Sequence, residues 1–164
     1  MNEAEHLVEL IPRLRRYARA LAGDRATADD LVQDTLERAW SKLHLYRRGT
    51  DLRAWLFTVM HNVHVNRVRA ARATDPLDEG MPELATRASQ GDSLVVRDLD
   101  RSIARLPDEQ RAVLLLVALE EMSYDEVARS LGIPIGTVMS RLSRAREKLR
   151  SMMFGAAAKL KVVK

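Results

Sequence analysis

Residues 123–150 limit the folds open to this chain more than any other stretch, because a helix start, a helix stop and a second start follow one another there. Ser123 and Glu126 have the spacing of a capping box, in which each side chain satisfies a backbone N–H left orphaned by the first helical turn. Val127, Ala128 and Leu131 give that helix one apolar or small face. Gly132 stands where a helix needs a residue at ease with positive φ to stop. Pro134 suits the start of the next helix, where its missing N–H is no loss. In that second helix Val138, Leu142 and Leu149 recur at helical spacing, while Arg141, Arg144, Arg146, Lys148 and Arg150 occupy other faces. A short helix, a glycine turn and a basic second helix make a helix-turn-helix, a reader of the DNA major groove. An ordinary helical hairpin with a solvated charged face is the competing reading. Start, turn and charge agree with one another, and that favours the reader.

Aromatic residues form only 4% of the chain, with 7 Gly and 5 Pro, a balance that favours helices over sheets. A length of 164 residues leaves room for one medium domain or two small ones. The formal net charge of +4 permits a polyanionic partner, although the layout of charge says more than its total. Cysteine is absent, which excludes disulfides and thiolate metal sites and agrees with a reducing compartment. Met1–His6 has neither a basic stretch nor an apolar core, and no apolar run approaches membrane-spanning length. A soluble, cytoplasmic chain with no direct membrane insertion is expected.

Helical patterns fill the first part of the chain. Leu7, Leu10, Leu14, Tyr17 and Leu21 form an apolar stripe broken by Pro12, which predicts that one helix ends or kinks there and another begins. A second helix is predicted from Thr27 to Leu43, with Leu31, Thr35, Leu36, Ala39 and Leu43 near one face. Asp51 is a good N-cap for a third, which carries Leu52, Trp55, Leu56, Val59, Met60 and Val63 and runs to Arg72. Between Thr74 and Ser93 periodicity stops and turn formers take over. Helices resume with the stripe Val96, Leu99 and Ile103, and an apolar run from Val113 to Val117 is expected to be buried. The expected architecture is all-α. It comprises a helical domain over 1–74, a flexible linker over 75–94, a second helical domain with the helix-turn-helix over 95–152, and a basic C-terminal tail over 153–164. A packed irregular loop within a single domain is the alternative reading of the linker.

Charge falls into three blocks. Asp24, Asp29, Asp30, Asp34 and Glu37 stand against the single Arg25 in residues 24–37. Asp30, Asp34 and Glu37 fall on neighbouring turns of one helix face, where like charges repel by a few tenths of a kcal/mol and gain nothing for an isolated helix. Such a face suits a basic protein surface. A solvated face near a helix N-terminus is an equally good reading. From Leu52 to Thr74 there is no Asp or Glu, whereas Arg53, Arg67, Arg69 and Arg72 accompany His61, Asn62, His64 and Asn66. Basic groups beside amides provide both phosphate attachment and base-edge reading. A solvated, dipole-stabilised helix end is the alternative for Arg67–Arg72. The recognition helix is the third block, and two basic surfaces on one tether would engage DNA at separate places.

The whole pattern resembles a bacterial RNA polymerase sigma factor of the extracytoplasmic-function (ECF) type, within the sigma-70 family. Ala28–Thr35 is similar to that family's polymerase-binding helix. The resemblance assigns Asp29, Asp30, Leu31, Gln33 and Asp34 to the clamp helices of the largest subunit of the core polymerase. Leu52–Val59 with Asn62 resembles the helix that reads and opens the minus-ten element, which implies promoter contacts by Arg53, Asn62, Asn66, Arg67 and Arg69. Leu106–Arg111 resembles the start of the family's fourth region. Gly136–Arg146 resembles its minus-thirty-five reading helix, with Thr137, Ser140, Arg141, Arg144 and Arg146 as the implied DNA contacts. The resemblance further implies regulation by an anti-sigma factor. Two departures bear on promoter choice: Asn66 stands where the family commonly has Asp, and Met139 where a basic residue is usual.

The expected function is promoter-specific initiation with no chemistry, no cofactor and no small-molecule substrate. Promoter opening requires bases to leave the stack. Because Trp55 shares a face with Leu52, Leu56 and Val59, a loop or polar pocket is the expected base trap rather than aromatic stacking. Two other readings are a stand-alone helix-turn-helix regulator and a sigma-like mimic that sequesters an anti-sigma factor. The first leaves the acidic helix unexplained, and the second has no need of Arg141, Arg144 and Arg146. Enzyme activity is not expected. His61 and His64 are the one close histidine pair, and no carboxylate near them in sequence completes a metal site. The chain also has no Gly-rich phosphate loop and no nucleophile elbow.

Overall fold

The structure is a computed structural model that describes residues 2–74 and 94–162, of which 156–162 are described as backbone only. The expected linker therefore lies outside the described residues, Leu94 excepted. Among the described residues there are seven α-helices and no strand.

The N-terminal domain holds α1 (Glu3–Ala22), α2 (Arg25–Ser41) and α3 (Leu52–Thr74), with a 3₁₀ turn at Leu43–Leu45. Asn2 and Glu5 close a capping box at the head of α1, and Gly23 in the left-handed region stops the helix by donating to Arg19 O. The break expected at Pro12 is a correction, because α1 runs through it as one helix. The apolar stripe explains this: Leu7, Leu14, Tyr17, Ala18 and Leu21 are all buried, so the pattern stays in phase across the proline. Burying one leucine is worth about 1.5–3 kcal/mol, and several together offset the cost of a proline in mid-helix. Asp24 caps α2 by accepting from Ala26 N and Thr27 N, which moves the start slightly ahead of the predicted Thr27. Asp51 Oδ1 accepts from Arg53 N at 3.0 Å and so starts α3 where expected. Leu56, Phe57, Met60 and Val63 of α3 fill the space between α1 and α2, with Phe57 edge-on to Tyr17 at 5.1 Å between ring centres.

The C-terminal domain holds α4 (Leu94–Ala104), α5 (Asp108–Ala118), α6 (Tyr124–Leu131) and α7 (Ile135–Val162). Ala112–Leu116 of α5 are buried against α6 and α7, as the apolar run predicts. Gly132 has φ 67° and its N–H returns to Ala128 O, so the turn between α6 and α7 has the left-handed stop that the sequence requires. Helix α7 does not end at residue 152 but carries on through the expected tail to Val162.

The two domains pack on each other, with α1 against α4 and α5 and α3 against α6, so one apolar cluster spans both. Arg111 of α5 holds this junction together. Its Nε donates to Ile103 O at 3.0 Å and its Nη2 to Ala104 O and Leu106 O at 2.8 and 2.7 Å, gathering carbonyls at and just beyond the end of α4. Its Nη1 crosses to Leu21 O at the end of α1, 2.8 Å away. A second crossing joins His64 Nε2 to Asp108 Oδ1 at 2.7 Å. Burial tends to raise the Asp108 carboxyl, yet the hydrogen bond and charge of His64, helped by Arg111 and His61, hold it below the usual range. His61 is pushed below the usual histidine value by burial and then by the charge of His64.

Arg111→Ala is expected to destabilise the fold by about 3 kcal/mol, because one change removes the donor from part-buried carbonyls at two helix ends. Arg111→Lys should recover little of that, since a single ammonium cannot span the same acceptors. Urea unfolding at constant slope measures both. A depressed histidine is neutral in the folded chain, so its share of stability is full above the unfolded value of about 6.5 and falls away as pH drops through it. Stability of the wild type relative to His61→Gln should therefore decline from about pH 6.5 downward, as read by parallel urea titrations.

Candidate nucleic-acid interface

Alternation around α2 separates the residues that build the core from those that can meet a partner. Asp29, Asp30, Gln33 and Glu37 are exposed on its outer side, and Gln33 Nε2 donates to Glu37 Oε1 at 3.4 Å. Leu31 belongs to the other side, 1% exposed within the core. Its assignment as a polymerase contact is a correction: it supports the helix and has no surface to offer. Asp34 is half-buried and pairs with Arg67 of α3, whose guanidinium also donates to Asp30 O at 3.2 Å. The acidic face and the basic helix thus adjoin along one edge.

On α3, Asn62, Asn66 and Arg69 are exposed and Arg67 is half-buried in its pairing with Asp34. Arg53 is turned toward the second domain. Its Nη1 donates to Glu120 O at 2.9 Å and its Nη2 lies 3.5 Å from Glu126 Oε2. Trp55 packs against the core beside Tyr46, with ring centres 5.5 Å apart, in keeping with its reading as a packing residue. The loop leading into α3 borders a cleft of ≈ 890 Å³ lined by Tyr46, Arg48, Thr50 and Asp51 with Glu3 and His6 of α1. This cleft lies beside the head of the helix that carries the amides.

The start of α6 makes half of the expected capping box. Ser123 Oγ accepts from Glu126 N at 3.1 Å, while the Glu126 carboxylate meets the Ser123 hydroxyl and Arg53. Val138, Leu142 and Ala145 seat α7 on α5 and α6. That seating leaves Ser140, Arg144 and Arg146 exposed and Thr137 half-buried. Arg141 is mostly covered and pairs with Glu109 of α5 at 3.5 Å. Met139 is 53% exposed among the polar residues of this face. No group of three or more possible metal ligands occurs among the described residues, and His64 is engaged by Asp108.

Sequence reasoning missed the residues that tie the domains together. Arg16 Nη2 donates to Leu119 O at 3.3 Å and to Glu120 Oε1 at 3.4 Å, across a separation of 104 positions for the second bond. No local pattern announces such a pair. The acid next to Glu120 carries a sign only in the backbone, since Glu121 has φ 54°.

Two family profiles divide the chain. One described as the sigma2 domain of PhyR matches residues 7–61, and one described as sigma-70, region 4, matches residues 97–149. The ECF RNA polymerase sigma factor EcfG of Rhodopseudomonas palustris is 33% identical over 152 residues, covering 92% of this chain and 84% of the relative. The ECF RNA polymerase sigma factor SigL of Mycobacterium tuberculosis is 39% identical over 147 residues, covering 84% and 80%. Among solved structures, the sigma factor RpoE of Bartonella quintana, crystallised with the anti-sigma factor NepR, superposes with a TM-score of 0.81 at 33% identity over 91% of this chain and 94% of that one. The anti-anti-sigma factor PhyR of the same organism shares the fold alone, with a TM-score of 0.63 at 15% identity. The chain belongs to the ECF family of RNA polymerase sigma factors.

Proposed function

We propose that this chain is the promoter-specificity subunit of a bacterial RNA polymerase, working in the cytoplasm without cofactor, substrate or chemistry of its own. The observation that carries the reading is the division of surface on one small chain. An acidic face on α2 adjoins a helix free of acids, and a basic recognition helix stands apart on the second domain. Asp29, Asp30, Gln33 and Asp34 dock on the clamp helices of the core enzyme, with Leu31 fixing their helix from beneath. Asn62, Asn66, Arg67 and Arg69, with Arg53 at the head of α3, meet the minus-ten element as it opens. The cleft at Tyr46–Asp51 is the place for an unstacked base. Thr137, Ser140, Arg144 and Arg146 enter the minus-thirty-five element, and Arg141 joins them once released from Glu109.

An anti-sigma factor is the regulator that fits this reading, as it does for the RpoE relative crystallised with NepR. Helix α4 supports such a partner, because Leu94 and Val95 are 77% and 66% exposed and offer apolar surface to an amphipathic helix.

Run-off transcription from a random-promoter library, with bacterial core enzyme and with or without the chain, tests the function. Transcripts that depend on the chain and share two spaced upstream elements are the expected result. Absence of both stimulation and core binding would favour a stand-alone regulator, and core binding without transcription a mimic. Asp30→Lys should weaken core binding by about tenfold or more, since it sets like charges face to face. Arg144→Ala should leave core binding intact and cost about 1–3 kcal/mol in promoter affinity, read by competition between promoter variants.

A further inference from the structure

The face of the N-terminal domain that the C-terminal domain covers is basic, and the elements covering it are acidic. Arg16 of α1 is held by Leu119 O and the Glu120 carboxylate, at 3.3 and 3.4 Å. Arg53 of α3 is held by Glu120 O at 2.9 Å and by the Glu126 carboxylate at 3.5 Å. His64 faces Asp108 at 2.7 Å. Arg13, one turn before Arg16 on α1, is exposed and adds its charge to the field at Glu120.

Glu120 is an imperfect fit to this site. Its side chain is 0% exposed, yet Oε2 accepts no hydrogen bond from the described residues. Burial drives its carboxyl above the usual range against the opposing pull of Arg16, Arg13 and Arg53. The turn that presents it bends through Glu121 in the left-handed region, φ 54°. Arg16 is less committed, since its side chain keeps 54% of its exposure. A guanidinium satisfied by one carboxylate oxygen and a few carbonyls has fork geometry to spare, and a phosphodiester presents two anionic oxygens that match it. The turn from Leu119 to Glu121 thus stands in for a phosphate and is open to replacement by one.

We propose that Arg13, Arg16 and Arg53 form a phosphodiester site on the N-terminal domain. The Leu119–Glu121 turn fills it while the two domains are closed, and the promoter backbone fills it when the chain works on polymerase. The inference rests on the promoter-reading function above and adds to it a DNA contact on α1.

The test is promoter binding by the complete holoenzyme across a salt series, on a fragment selected by the chain in run-off transcription. In the Arg13→Ala/Arg16→Ala variant, the slope of log affinity against log salt should become shallower by about 0.9 for each arginine lost. Core binding should stay unchanged, because neither residue is among those proposed to dock on the core enzyme. Arg16→Lys should keep most of the slope, since it keeps the charge. Thermal melts of the free chain followed by circular dichroism should show a loss of stability in Arg13→Ala/Arg16→Ala, because the buried Glu120 loses its hydrogen bond from Arg16. Arg16→Lys, which keeps a charge there, separates that loss from the salt slope. An unchanged slope with core binding intact would overturn the site and leave these arginines as closure contacts only. Loss of core binding in the variant would also overturn it, by assigning them to polymerase. A wild-type holoenzyme that binds no promoter would instead overturn the function beneath the proposal.

Discussion

Glu120 and the arginines around it set the terms on which the two domains coexist. A carboxylate taken wholly out of water is tolerable only while positive charge stays close. Here that charge comes from the other domain, through Arg16 at the carboxylate and Arg53 at the backbone carbonyl of the same residue. The remaining crossings follow the same pattern, with Asp108 on His64 and Arg111 on the end of α1. The junction therefore combines a continuous apolar cluster with polar contacts that depend on charge and geometry. Apolar burial gives the closed form its adhesion, and the polar contacts fix its register.

This arrangement ties function to closure. Arg53, Arg67 and Arg141 are all expected to touch promoter DNA, and each is bound to a carboxylate of its own chain. Each pair is partly exposed, where ion pairs contribute about 0–1 kcal/mol and exchange readily for another anion. By contrast, Asn62, Asn66, Arg69, Arg144 and Arg146 stand exposed in the closed form. Part of the proposed DNA surface is thus ready beforehand, and part is occupied by acids that must give way before it can meet DNA.

Much of the fold was legible because the signals were local. Asp51, Ser123, Gly132 and the stripe Val138–Leu142 announce their helix boundaries within a few residues, and each stands where the pattern requires. Pro12 misled because propensity is a weak prior and an in-phase apolar stripe overrode it. Leu31 misled in another way: a motif names neighbouring positions together, but adjacent residues on a helix point to different sides. The contacts of Arg16, Arg111 and His64 were out of reach. Their partners lie in the other domain, and nothing in local periodicity pairs α1 with α5 or α3 with Asp108. The candidate surfaces were legible by composition, whereas their present occupants were decided by tertiary packing.

The absence of cysteine makes domain closure open to direct measurement, because introduced thiols carry labels without competition. Val8→Cys and Glu147→Cys place one label on each domain at exposed positions. Pulsed electron–electron spin resonance then reports the distance between the domains. One short, narrow distance is expected in the free chain, and a longer one after binding to core polymerase and promoter. A distance that is already long and broad in the free chain, or that stays short on the polymerase, would contradict that expectation.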